Sequence, residues 1–123
     1  MSVIVTDGGF GSDDFQGAAV ELAPDTDPAT LAESAAGAEM VVVDFPSFSD
    51  GRGFTLARLL RLRGYGGRLR ARGHVIADQY AMARRAGFDE VEISEDLARR
   101  QPEDQWLFRA DWQAGDYQAR LRG

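Results

Sequence analysis

Met40-Val41-Val42-Val43-Asp44-Phe45-Pro46-Ser47-Phe48-Ser49-Asp50-Gly51-Arg52-Gly53-Phe54-Thr55-Leu56-Ala57-Arg58-Leu59-Leu60-Arg61-Leu62-Arg63 is the stretch whose reading decides the fold. Four apolar residues in a row, three of them β-branched, suit a strand buried on both faces. Pro46 cannot donate to a ladder and ends that strand, which is read over 39–45. The loop holds Gly51 and Gly53, and a helix over 53–63 follows. Leu56, Leu59 and Leu60 form one stripe of it, with Phe54, Arg58 and Arg61 on the opposite, solvated side. In sheets wound this way, ligands bind in the mouth between strand end and helix start.

Working outward, the same strand–helix pattern recurs. Upstream, Ala18–Leu22 alternates as a strand, and Asp27-Pro28 opens a helix over 28–36 that stops at Gly37. Downstream, Arg68-Leu69-Arg70-Ala71-Arg72 alternates strictly between charged and apolar. A helix over 77–86 ends at Gly87, with Met82, Ala83 and Ala86 as its buried stripe and Gln79 pointing inward at its start. Phe88–Ile93 is the last strand, again alternating. Ser94 or Glu95 begins a short helix, Gln101-Pro102 interrupts it, and Pro102 starts another carrying Trp106, Leu107 and Ala110. The tail from Trp112 to Gly123 is ambiguous.

Short loops and helical crossovers predict an α/β domain with a four-stranded, mainly parallel (βα)4 sheet, like half a (βα)-barrel. Glu21, then Arg68, Arg70 and Arg72, then Glu90 and Glu92 form a polar sheet face, so helices are expected mainly on the other face. Neighbouring strands would pair these arginines with these glutamates. The polar face would meet a partner copy, the N-terminal arm or the C-terminal tail. An open doubly wound sheet is the alternative. The 123 residues read as one domain: an arm over 1–17, made of an edge strand and a loop, a βα core over 18–94 and a C-terminal helical segment over 95–123.

Hydrophobic content of 44% and charged content of 28% are those of a soluble globular protein. No apolar run is long enough to span a bilayer, no signal peptide is recognised, and a cytoplasmic location without membrane contact is expected. With no cysteine, disulfides, thiol chemistry and zinc–thiolate sites are excluded. A net charge of −6 argues against a nucleic-acid partner. All 14 basic side chains are arginine, and seven lie between Arg52 and Arg72. Arginine's planar fork suits carboxylates and oxyanions.

At the carboxyl rim the sequence gathers Asp44, Asp50 and Asp78 as catalytic candidates, with Arg52, Gly53, Arg58, His74 and Gln79 as ligand-binding candidates. Histidine is the side-chain type that titrates near neutral pH, so an Asp–His–Asp group could exchange protons. Gly51-Arg52-Gly53 could leave helix-start N–H groups open to an anion. Structural roles are open to the same residues: Asp44 capping the loop, Asp50 capping the helix, Asp78 facing a helix dipole. Asp13-Asp14 lacks further ligands at calcium-loop spacing, so no metal is expected. No nucleophile elbow, P-loop lysine or dinucleotide fingerprint is present, and no cofactor is expected.

The patterns Phe45-Pro-x-Phe-x-Asp-Gly-Arg-Gly-Phe-x-x-Ala-Arg-Leu-Leu-Arg, Gly64-Tyr-x-Gly, Leu69-Arg-Ala-x-Gly, Asp78-Gln and Gly87-Phe-Asp resemble a bacterial family called domain of unknown function 934. Pro46, Asp50, Arg52, Arg58, Arg61, Tyr65, Arg70, Asp78 and Gln79 fall on its patterned positions. His74 and Ala86 depart from it, standing where a small acidic or amide residue and a cysteine are expected. The resemblance implies an accessory protein of assimilatory sulfite reduction, since such genes lie beside those of the reductase. Its arginine-rich loop would bind a small oxyanion or a partner in the reductase system. The family's description as a probable oxidoreductase finds no flavin, haem, iron–sulfur or nicotinamide motif here. A small enzyme using the aspartates with Arg52, and a homodimeric scaffold without catalysis, are the alternatives.

Overall fold

The structure, a computed structural model, describes residues 2–112. These residues form six strands and five α-helices. Strands β1 (Ser2–Thr6) and β2 (Gly9–Gly11) form a hairpin, and β3 (Ala19–Leu22) follows. A 3-10 turn, Pro28–Thr30, leads into α1 (Leu31–Ala35), then β4 (Met40–Phe45), α2 (Arg52–Leu62) and β5 (Arg68–Gly73). A second 3-10 turn, Ala77–Gln79, leads into α3 (Tyr80–Ala86), then β6 (Glu90–Ser94), α4 (Glu95–Arg100) and α5 (Glu103–Phe108).

All six strands join one mixed sheet in the order β2-β1-β6-β5-β4-β3. Strands β3 to β6 run parallel, whereas β1 is antiparallel to both β6 and β2. The expected four strands are therefore short by two. The N-terminal arm is a hairpin, and β1 lies inside the sheet rather than at its edge. Asp7-Gly8-Gly9 marked the turn in the sequence, but Gly9-Phe10-Gly11 is too short and glycine-rich to read as a strand. The wider reading of the tail lies outside the described residues beyond Trp112.

Register separates the two faces. Val41 opposes Leu69 and Val20, and Val43 opposes Ala71 and Leu22; Ala71 in turn opposes Val91. These side chains share one core with Leu31, Leu56, Leu60, Tyr80, Ala83, Leu97 and Trp106, so all five helices feed the same face. Asp27 caps the first turn by accepting from the Ala29 N–H, and Ser94 caps α4 by accepting from Leu97 at 3.1 Å. Trp106 is fully buried, and its indole N–H donates to the Gln101 carbonyl at 2.9 Å.

Three helix readings need correction. Phe54 is buried, because its ring meets Phe45 and Phe88 at centroid distances of 4.9 and 6.4 Å. Arg61 is not a solvated residue: it donates to the carbonyls of Tyr65, Gly67 and Gly87 and to Asp89, tying two loops to α2. Met82 is 51% exposed, and the buried stripe of the third helical segment is Ala77, Tyr80, Ala83 and Ala86.

Among the described residues, the opposite face carries no helix. There Glu90 bridges Arg68 Nε at 2.5 Å and Arg70 Nε at 2.6 Å. Arg70 also reaches Glu92 and Asp13, and Arg72 reaches Asp44 and Glu21. The cross-strand arginine–glutamate pairing read from the alternation is present. Residues of the arm cover part of it, with Asp13 on Arg70 and the Phe15 ring 5.6 Å from the Arg68 guanidinium.

Candidate functional site

The carboxyl ends of β4, β5 and β6 form one rim, and the loops leaving them are tied together. The Gln79 side-chain amide donates to the Phe48 carbonyl at 2.8 Å and its oxygen accepts from the Ile76 N–H, joining the loop after β4 to the turn after β5. Gln101 Oε1 accepts from the Ala77 N–H at 2.6 Å and attaches α4 to the same turn. Arg109 donates to Asp78 at 2.8 Å and attaches the chain after α5. The turn over 77–79 thus gathers three separate segments.

Between them lies a depression of about 300 Å³ lined by Phe48, Gly73, His74, Ser94, Asp96, Leu97 and Arg100. His74 sits edge-on to Phe48, with centroids 5.1 Å apart and rings at 83°. Its Nδ1 lies 3.3 Å from the Phe45 carbonyl, leaving Nε2 as the outward nitrogen. Gly73 has φ +116°, and a Cβ there would lie 2.7 Å from the Phe45 oxygen, so no larger residue fits this approach of two strand ends. Phe48 is 42% exposed. Asp96 and Arg100 pair across one helical turn at 2.5 Å.

A larger depression, about 390 Å³, opens at the opposite rim between α1 and the loop before β5. Alanines and glycines make most of its wall. Its polar side chains are committed: Arg63 donates to the Pro28 carbonyl, and Tyr65 donates to the Ala38 carbonyl. The smaller depression holds the chain's one histidine, exposed, and is the better site on chemical grounds.

The sequence candidates separate into groups. His74 and Gln79 meet at this rim, one lining the depression and the other bracing its wall. Arg52 opens α2 from the same loop, but its guanidinium turns back onto Asp50 at 2.8 Å. Hydrogen bonds from that guanidinium, and from the Arg52 N–H, hold the Asp50 carboxyl below its ordinary value, so it is a poor proton acceptor. Asp44 lies on the helix-free sheet face, held by Arg72 at 2.7 Å. Asp78 is exposed and paired with Arg109. The three aspartates are each engaged by a different arginine.

Arg58 is exposed on α2. Gly53 has a packing role at the helix start. A Cβ there would lie 2.5 Å from the Phe45 ring, so this glycine lets α2 pack on β4. Phe48, Ser94, Asp96 and Arg100 were missed in the sequence reading. Phe48 alone left a signal, as an aromatic between two serines in a loop.

Among the described residues, no group of three or more His, Asp or Glu could hold a metal ion. No helix among them is long and apolar enough to cross a membrane. Neither the curated proteins nor the solved structures give a match to the chain. The family model described as "Bacterial protein of unknown function (DUF934)" matches residues 19–122, which takes in β3 to α5 and the whole rim. The chain therefore belongs to that bacterial family of unknown function.

Proposed function

We propose that the protein is a non-catalytic accessory of assimilatory sulfite reduction that docks a protein of the reductase system at the carboxyl rim, around Phe48 and His74. The pathway comes from the family resemblance. The choice of a protein over a small oxyanion rests on the state of the arginines. Of the seven between Arg52 and Arg72, six donate to carboxylates or carbonyls of the same chain. At those six, sulfite or sulfate would have to displace a carboxylate or carbonyl already at hydrogen-bond distance, which removes most of the gain of a charge-assisted contact.

Phe48 is the single observation that carries the reading. It is a large apolar side chain left half in water, edge-on to an exposed imidazole, on a loop braced by Gln79. Aromatic anchors on rigid supports are the groups that carry most of the energy at protein interfaces. The separated, arginine-paired aspartates speak against a shared catalytic centre.

The test is capture of purified assimilatory sulfite reductase on the immobilised protein, beside calorimetric titration with sulfite, sulfate and adenylylated sulfate. Capture is expected with the unaltered chain and is lost with Phe48→Ala, while the three anions give no heat. Heat with an anion that disappears in Arg52→Ala, with no capture, would establish the oxyanion reading instead.

A further inference from the structure

A parallel ladder is ordinarily covered on both faces, because its crossovers place helices there. Among the described residues, the four parallel strands have helices on one face only. The arm covers the amino half of the other face, where Arg70 and Glu90 are only 4% and 3% exposed. Toward the carboxyl half the cover from the described residues ends. Arg72 is 29% exposed, Asp44 45% and Glu21 63%.

The chemistry of the uncovered half is one-sided. Arg72 is its one guanidinium and already bonds Asp44 at 2.7 Å and Glu21 at 2.6 Å. Glu92 lies on the same side, taking hydrogen bonds from Ser2 and Arg70. Both Glu92 oxygens are thus engaged, and the open carboxylates are Glu21 and Asp44, two to one arginine on β3 and β4, each with one oxygen that Arg72 does not engage. Glu21 stands on β3, the last strand of the sheet. The Ala18 carbonyl accepts from Met40, so alternate residues Ala19 and Glu21 turn their backbone groups away from β4.

From this half-face and its charge we infer that the surface formed by Glu21, Asp44 and Arg72 docks a basic, lysine- or arginine-bearing protein segment. A second copy of the chain is disfavoured, since it would bring a like-charged patch, and a net −6, against this one. Arg72 holds Glu21 and Asp44 as a fixed pair of acceptors, so little side-chain freedom is lost when a cation arrives. The surface carries no exposed large apolar anchor, so the interaction is fast, salt-sensitive and of modest affinity. It is separate from the rim at Phe48, and either can fail alone.

The experiment uses a fluorescently labelled octalysine peptide and the full chain, with anisotropy read at low and at physiological salt. The pair Glu21→Gln/Asp44→Asn is expected to weaken binding about tenfold. A control pair on the helix side, Glu33→Gln/Asp104→Asn, removes the same charge and is expected to weaken it less than about twofold. Phe48→Ala should leave it unchanged. Circular dichroism melts check that each variant folds. Equal loss in the two pairs would reduce the effect to net charge and overturn the proposal. So would sedimentation showing a dimer of the unaltered chain that Glu21→Gln/Asp44→Asn dissolves.

Discussion

Arg61 shows how much one side chain can hold. It makes hydrogen bonds to carbonyls in two loops and to Asp89, and it lies over the Tyr65 ring at 5.9 Å. Arg61→Ala strands those carbonyls and is expected to cost about 2–4 kcal/mol in urea unfolding. Arg61→Lys should recover less than half of this, because an ammonium cannot span the same fork of acceptors. Gly53 works by omission. Its missing Cβ is the space taken by Phe45, so Gly53→Ala should cost about 1–3 kcal/mol through overpacking, in the same measurement. Neither role was legible. Helical spacing places Arg61 and Gly53 on faces, but only the folded chain shows that Gly87 and Phe45 lie against those faces.

At the scale of elements, alternation in β5 and β6 was enough to foresee the Arg–Glu lattice, because a period of two puts every second side chain on one face. The centre of the lattice is dry. Burial by itself would lower the Arg70 pKa, but hydrogen bonds from its guanidinium to Asp13 and Glu90 raise it instead. Glu90→Ala leaves Arg68 and Arg70 short of an acceptor and is expected to cost about 3–5 kcal/mol, whereas Arg70→Met combined with Glu90→Leu should cost far less. A double-mutant cycle in urea reads the difference. The phase of α3 was less legible. Its true stripe steps by threes through Ala77, Tyr80, Ala83 and Ala86, and Met82, the most hydrophobic-looking residue there, faces water. Methionine at one position does not set a phase when alanines surround it.

Across the whole molecule, the N-terminal hairpin is locked to α3 by Asp7, which accepts from Tyr80 at 2.5 Å, from Arg84 at 3.1 Å and from Trp112 at 3.2 Å. Desolvation pushes the Asp7 carboxyl up, but these three donors outweigh it and hold it below its ordinary 3.8. A carboxylate lowered by folding stabilises fully above its unfolded value and stops doing so as pH falls through the folded one. Burial, with the Asp7 hydrogen bond, pushes the Tyr80 phenol above its ordinary 10.0. The unfolded chain then ionises first, and stability declines as pH rises beyond that value. Urea midpoints should therefore be level between these limits and fall on either side. Asp7→Asn should blunt the acid limb and Tyr80→Phe the alkaline one. What the sequence determined by itself was local: the strand and helix order from β3 to α5, which strand faces are charged, and the caps at Asp27 and Ser94, all of which depend on periodicity and short-range spacing; the family was carried by its motif resemblance. Tertiary structure alone decided that β1 enters the sheet beside β6, that the arginines are spent on the chain's own acceptors, and that Phe48 meets His74. Those facts concern residues far apart along the chain, brought together by burial and hydrogen-bond demands that no short window of sequence contains.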